Sequence, residues 1–310
     1  MKLSFEKIRE ITAGAVEIRQ TPEGIAFARC TGAQVEAIRA AASWLVPMAE
    51  ATTGIRLDFL TDADSVRIET GSDGKYDILV NDLLRGQFLS SPDCRAAFIP
   101  LRGGTNRVTF TLPSHGTPGS IRSVEIPDNA SVEKPAYRRK MLFLGDSITQ
   151  GWNAKYDSGS FAYLVSRYFD ADSVIQGVGG AFFTPDTVTD IGFSPDTVIV
   201  AYGTNDWNWF PTLEKLRAEA GETLRRIRER YGEADIAVLT PLWREDIEQP
   251  KAMGTFSECV SVIREEAERL GLRVIDGLGL LPPVTDFMAD AVHPNDAGFA
   301  LCALNLIKEL

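Results

Sequence analysis

The second half of the chain alternates short apolar runs with amphipathic segments. The runs have the length of buried strands, and the segments between them repeat apolar residues at the period of a helix. Strands are predicted at residues 141–144, 173–176, 197–202, 236–240 and 272–275, and helices at residues 161–169, 213–230, 256–270 and 295–310. This alternation predicts a parallel sheet with helices on both faces.

The first half has a different pattern, in which apolar and polar residues alternate over short stretches, as in half-buried strands. Turn signals separate the stretches, among them Asn81-Asp82, Gly103-Gly104 and Pro118-Gly119. Strands are predicted at residues 54–60, 66–69, 76–80, 83–84, 106–112 and 120–126. Short strands at this spacing predict a β-sandwich of the jelly-roll kind. One helix, at residues 34–42, is expected to cap the sandwich.

The stretch from Pro127 to Pro135 lies between the two patterns and has the composition of a linker. The sequence therefore predicts two domains, at residues 1–135 and 136–310.

Composition narrows the class of protein. A hydrophobic content of 44% is normal for a globular protein, and no apolar run approaches the length of a membrane span. A net charge of −11 argues against binding nucleic acid through its phosphates. The N-terminal residues lack the apolar core of a signal peptide, and the cysteines are too sparse for a disulfide framework. We therefore expect a cytoplasmic protein that binds neither nucleic acid nor membranes.

Gly145, Asp146 and Ser147 directly follow the first strand of the predicted parallel sheet. Ligand sites of open α/β sheets lie at this carboxyl end of the strands. Ser147 has two interpretations at this point, as the N-cap of a following helix or as a nucleophile.

A serine nucleophile needs a neighbouring base, and the chain has only two histidines. His115 lies in a turn-like stretch of the first half and is expected to be a solvated loop residue. His293 follows Asp290 by three residues, a spacing at which a carboxylate can orient an imidazole. The alternative is that Asp290 and His293 only cap the last helix.

Three short blocks resemble the SGNH (GDSL-like) hydrolase superfamily over residues 140–310. They are Gly145-Asp146-Ser147-Ile148-Thr149, Gly203-Thr204-Asn205-Asp206 and Asp290-Ala291-Val292-His293-Pro294. The resemblance implies a flavodoxin-like three-layer α/β/α domain after the β-sandwich. It also implies a catalytic triad of Ser147, His293 and Asp290, and no metal or organic cofactor.

In this family three hydrogen-bond donors bind the oxyanion. The resemblance implies that these donors are the Ser147 N–H, the Asn205 amide and a glycine N–H. The stretch Gly177-Val178-Gly179-Gly180 offers more than one register for that glycine. We assign it to Gly180, with Gly179 as the alternative.

Four tryptophans fall just beyond the blocks or strand ends: Trp152, Trp207, Trp209 and Trp243. Indoles at this edge are predicted to bind substrate, by stacking on a sugar ring or lining an acyl pocket. Packing against the β domain is the alternative interpretation.

Together these features predict a serine esterase that hydrolyses short-chain carboxylic esters, with an acylated sugar as the first substrate candidate. One alternative is an acyltransferase that uses the same triad. The other is a carbohydrate-binding protein without catalytic activity.

Overall fold

A computed structural model of the chain describes all 310 residues. The chain forms two compact units. The first unit comprises Met1–Arg29, Glu50–Tyr137 and Tyr156–Ser158, and the second comprises Cys30–Ala49, Arg138–Lys155 and Gly159–Leu310. Two short segments therefore group with a different unit from their sequence neighbours, and the boundary at residues 135 and 136 stays a prediction.

The first unit is built from two five-stranded sheets of antiparallel pairs. Its elements are α1 (Phe5–Glu10), β1 (Thr12–Ala13), β2 (Glu17–Thr21), β3 (Gly24–Ala28), β4 (Arg56–Thr61), β5 (Ser65–Thr70), β6 (Gly74–Val80), β7 (Leu83–Ser90), β8 (Ala96–Pro100), β9 (Asn106–Thr111) and β10 (Ser120–Glu125). The strand orders are β1-β4-β9-β6-β7 and β2-β3-β10-β5-β8. Buried residues of both sheets form one apolar core, which includes Leu57, Phe59 and Phe110 of one sheet and Ile68 and Ile121 of the other.

The six strands predicted in the first half are all present within a few residues. The strands β1, β2, β3 and β8 were outside that prediction. The predicted helix corresponds to α2 (Gly32–Ala41). The prediction that this helix caps the sandwich is wrong, because α2 belongs to the second unit. Gln34 of α2 exchanges side-chain hydrogen bonds with Gln176, at 2.9 and 3.0 Å, and donates to the Thr187 carbonyl at 3.0 Å.

The second unit contains a five-stranded parallel sheet. Its strands are β11 (Arg139–Gly145), β12 (Ala171–Gly177), β13 (Thr197–Ala201), β14 (Asp235–Leu239) and β15 (Arg273–Ile275), in the order β12-β11-β13-β14-β15. Counted from β11, this is the 2-1-3-4-5 order of flavodoxin-like sheets. All five predicted strands are present.

Helices cover both faces of this sheet. Besides α1 and α2, the helices of the chain are α3 (Val46–Glu50), α4 (Ser147–Gln150), α5 (Phe161–Tyr168), α6 (Thr204–Trp209), α7 (Leu213–Arg230), α8 (Phe256–Arg269) and α9 (Asp296–Glu309). Met141 and Phe143 share a core cluster with Phe161 of α5 and Phe299 of α9. Leu144 points to the other face and lines a cavity with Ile227 of α7. No helix of the chain is both long and apolar enough to span a bilayer.

Candidate active site

Ser147 lies at the carboxyl end of the strand β11, as the first residue of α4. The turn before it needs a glycine, because a Cβ on Gly145 would lie 2.2 Å from Thr149 Oγ1 and 2.7 Å from the Ala201 carbonyl oxygen. Asp146 caps the helix by accepting a hydrogen bond from the Ile148 amide at 2.9 Å. The capping role therefore belongs to Asp146, and the hydroxyl of Ser147 is left for other contacts.

That hydroxyl lies next to the imidazole of His293. Ser147 Oγ is 2.8 Å from His293 Nε2. On the other side of the ring, His293 Nδ1 is 2.9 Å from Asp290 Oδ2 and 3.0 Å from Oδ1. The three side chains form a continuous hydrogen-bonded chain from hydroxyl to carboxylate. Such a chain can pass a proton from a serine to a histidine while a carboxylate stabilises the imidazolium.

Backbone amides hold the Asp290 carboxylate. Oδ1 accepts from the His293 N–H at 2.7 Å and from the Val292 N–H at 2.8 Å. Partial burial acts to raise the pKa of Asp290, but the amides of His293 and Val292 and the His293 side chain outweigh it and lower the pKa below its usual range. Asp290 is therefore a carboxylate at neutral pH.

The loop after β12 distinguishes the two candidate oxyanion glycines. The Gly179 N–H donates to Gln150 Oε1 at 2.7 Å, so it is already engaged. The N–H groups of Gly180 and Ser147 have no acceptor within the chain. Asn205 donates one amide hydrogen to the Ala181 carbonyl at 2.9 Å, which holds its side chain against this loop. The geometry favours Gly180 over Gly179 as a donor.

Trp44 is a residue of this neighbourhood that the sequence did not single out. It lies in the short 3₁₀ turn Ser43–Leu45, and its ring abuts Gly180. The indoles of Trp44 and Trp209 pack edge to face, with ring centroids 6.2 Å apart. They are 55% and 59% exposed, so this pair presents apolar surface to solvent next to the candidate oxyanion loop.

The four predicted tryptophans have different surroundings. Trp209 is exposed as described, and Trp152 and Trp243 are half-buried. The Trp152 ring lies 6.3 Å from the His293 ring, centroid to centroid. The prediction for Trp207 is wrong, because this side chain is fully buried. Its indole packs against Phe256 at 5.0 Å, and Nε1 donates to the Gly254 carbonyl at 3.1 Å.

His115, the second histidine, lies in a loop, as predicted, but it is half-buried and not fully solvated. It belongs to the first unit, with Nδ1 3.9 Å from Asp157 Oδ1. Burial, together with the positive charges of Arg29 and Lys75, lowers the pKa of His115 to about 4. No group of three or more acidic, histidine or cysteine side chains is arranged to hold a metal ion.

The sequence of the chain matches the model of the GDSL-like lipase/acylhydrolase family over residues 143–301. This match covers more than half of the chain, and the chain belongs to that family. The resemblance predicted from the three blocks is thereby confirmed. None of the curated proteins matches the sequence of this chain.

Solved structures confirm the predicted fold class of a β-sandwich and a flavodoxin-like domain. The salicylyl-acyltransferase SsfX3 from a tetracycline biosynthetic pathway is 19% identical, with a TM-score of 0.78 over 95% of this chain and 92% of that one. A carbohydrate esterase family 2 enzyme from Corynascus thermopiles (Myceliophthora fergusii) is 18% identical, with a TM-score of 0.70 over 84% and 93%. A family two carbohydrate esterase from Clostridium thermocellum, in complex with cellohexaose, is 16% identical, with a TM-score of 0.68 over 84% and 92%. The group thus includes esterases and an acyltransferase.

Proposed function

We propose that the chain is a serine esterase that hydrolyses short-chain carboxylic esters through an acyl-serine intermediate. The observation that carries this proposal is the hydrogen-bonded chain from Ser147 Oγ through His293 to Asp290. Membership of an acylhydrolase family supports it independently.

In the first half of the reaction, Ser147 Oγ bonds to the acyl carbon of the ester while its proton passes to His293 Nε2. The bond from carbon to the leaving alcohol then breaks, and His293 returns the proton to that alcohol. In the second half, water gives a proton to His293 and bonds to the same carbon. The bond from that carbon to Ser147 Oγ then breaks, and His293 returns the proton to Ser147 Oγ, which releases the acid. Asp290 keeps the imidazole tautomer and stabilises the imidazolium in both halves.

The negative charge that develops on the carbonyl oxygen needs donors fixed in advance. We assign this role to the N–H groups of Ser147 and Gly180 and the Asn205 amide. The first two have no acceptor in the chain, and the bond from Asn205 to Ala181 leaves its second amide hydrogen for the oxyanion. These donors follow the neighbouring strands β11, β12 and β13 at the carboxyl edge of the parallel sheet.

For the substrate we propose a small acyl group on a sugar hydroxyl. The support is the exposed indole pair of Trp209 and Trp44, because sugar rings stack on aromatic faces. The carbohydrate esterases of the same fold point in the same direction. We keep Trp152 and Trp243 as further candidates for this surface, since both are partly exposed.

The decisive variant is Ser147→Ala, assayed on p-nitrophenyl acetate and on acetylated sugars. The variant should lose ester hydrolysis while keeping the melting temperature of the wild type. A serine-directed phosphonate should label Ser147 in the wild type and nothing in the variant. Normal turnover by Ser147→Ala would rule out the mechanism.

Acyl transfer to an alcohol other than water is the second candidate. The observation that favours it is the likeness to the salicylyl-acyltransferase, which has the highest TM-score of the three structures described, 0.78. The two reactions share the acyl-serine and differ in what attacks it. Product analysis with and without an added sugar or phenol separates them, since a transferase forms the new ester at the expense of the free acid.

A further inference from the structure

Asn153 places its side chain on the carboxylate that contacts His293. Its Nδ2 donates to Asp290 Oδ2 at 2.7 Å. We propose that Asn153 is a positioning residue, which holds the Asp290 carboxylate in the orientation that the imidazole of His293 requires. This inference rests on the proposed function, since it assigns a partner to the proposed triad.

The contacts of the two carboxylate oxygens show why a fourth donor matters. Oδ1 is held by the backbone N–H groups of Val292 and His293, both within the same short loop as Asp290 itself. Oδ2 lies 2.9 Å from His293 Nδ1, and its other donor is Asn153. Asn153 is therefore the only donor to this carboxylate from outside the 290–293 loop. Without it, the imidazole alone would hold Oδ2.

The backbone aims the Asn153 side chain. Its φ of +71° lies in the left-handed region, which asparagine tolerates better than most residues. Hydrogen bonds fix the chain on both sides of it: the Trp152 N–H donates to the Ser147 carbonyl at 2.9 Å, and the Lys155 N–H donates to Asp296 Oδ1 at 2.8 Å. The segment that follows Ser147 is thus fastened to the segment that carries His293.

The chemical consequence follows from the charge on Asp290. Each donor to a carboxylate offsets part of its negative charge, so removing Asn153 leaves more of that charge facing the imidazole. The protonated imidazole, which cannot accept the Ser147 proton, is then favoured over the neutral form. The acid limb of the pH profile, which is the range where kcat/KM falls as pH is lowered, should therefore move to higher pH. A less ordered carboxylate should also lower kcat.

Asn153→Gly isolates the side chain, because glycine adopts a positive φ without strain. We expect kcat per active site to fall about three- to tenfold, which corresponds to the usual net contribution of one hydrogen bond in a protein. KM for p-nitrophenyl acetate should change little, and the acid limb should move to higher pH. Asn153→Asp keeps the size of the side chain but sets a second carboxylate against Asp290, so both effects should be larger.

Asp82→Gly is the matched control. Asp82 also has a positive φ, +63°, and lies in a hairpin turn of the first unit, so this variant removes a comparable side chain far along the chain from the triad. Its kcat, KM and acid limb should equal those of the wild type. Active sites are counted by phosphonate titration in every variant, which separates slower turnover from a smaller folded fraction.

Two results would overturn the proposal for Asn153. One is an Asn153→Gly enzyme with wild-type kcat per titrated site and an unmoved acid limb, while Ser147→Ala is inactive. The other is a lower melting temperature with no change in turnover per site, which would make Asn153 a residue of general stability. Turnover by Ser147→Ala would instead refute the proposed function, and the role of Asn153 would fall with it.

Discussion

A Cβ atom on Gly180 would lie 2.5 Å from Cζ3 of Trp44, too close for two carbon atoms that are not bonded. The φ of Gly180 is +85°, which also favours glycine. Two independent constraints therefore disfavour any side chain at this position. The indole lies against the loop that contains Gly180, whose N–H is the proposed oxyanion donor.

Replacing Gly180 by alanine should displace this N–H, because either the backbone or the Trp44 ring must move. We expect kcat for p-nitrophenyl acetate to fall about a hundredfold, the usual loss of one oxyanion donor, with a smaller change in KM. Gly179→Ala is the comparison, since its Cβ would meet Gln150 Oε1 at 3.1 Å, a less severe contact than the 2.5 Å at Gly180. It should lose much less activity. The reverse order of the two losses would assign the donor to Gly179.

Asn205→Ala should lower kcat by about a hundredfold to a thousandfold while KM moves much less. The reason is that the proposed contact strengthens as charge develops on the carbonyl oxygen. Asn208→Ala, in the same helix α6, is the control and should retain activity. Steady-state kinetics test the proposed role of Asn205. An effect confined to KM would mean that Asn205 binds the substrate in its ground state.

The sequence predicts the parallel sheet and the neighbourhood of Ser147 well, because the determinants are local. Each strand of that sheet contains a short apolar run, and Gly145 and Asp146 form the turn and cap through their own neighbours. The pairing of His293 with Asp290 is also local, since one loop contains both residues.

Contacts between distant segments of the chain could not be predicted from the sequence. Trp44 reaches Gly180 from a segment more than a hundred residues away, and Asn153 reaches Asp290 across a similar distance. The error at Trp207 has a local cause. Trp207 and Trp209 are two residues apart in the helix α6, so they point in nearly opposite directions, and only Trp209 faces solvent.

Buried Asp206 should make stability depend on pH. Burial raises the pKa of Asp206 to about 7, with a further contribution from the charge of Asp146. Its Oδ1 accepts from the Phe183 N–H at 2.9 Å, whereas Oδ2 has no hydrogen-bond partner. The folded chain thus keeps this proton up to about pH 7, while the unfolded chain releases it above the ordinary value of 3.8. The free energy of unfolding therefore falls as pH rises between these two values. Above about pH 7 Asp206 causes no further change.

Asp206→Asn removes this titration and keeps the acceptor for the Phe183 N–H. Relative to the wild type, its free energy of unfolding should improve by up to about 1.4 kcal/mol per pH unit between the two pKa values. Calorimetric melting temperatures of both proteins across this range give the measurement. A difference between them that does not vary with pH would contradict the assignment.

The last prediction concerns substrate preference. If the exposed indole of Trp209 receives a sugar, Trp209→Ala should lower kcat/KM for acetylated sugars about fivefold, because one lost ring contact costs about 1 kcal/mol. Turnover of p-nitrophenyl acetate should barely change, since this small ester reaches Ser147 without that surface.

Trp207→Ala serves as the contrast: loss of a fully buried indole should cost about 3–5 kcal/mol of stability and lower the melting temperature. Equal losses on both substrates in Trp209→Ala, with a lower melting temperature, would make Trp209 a packing residue as well. The proposal of a sugar ester would then lose its support from this side chain, while the proposed role of Ser147 would be unaffected.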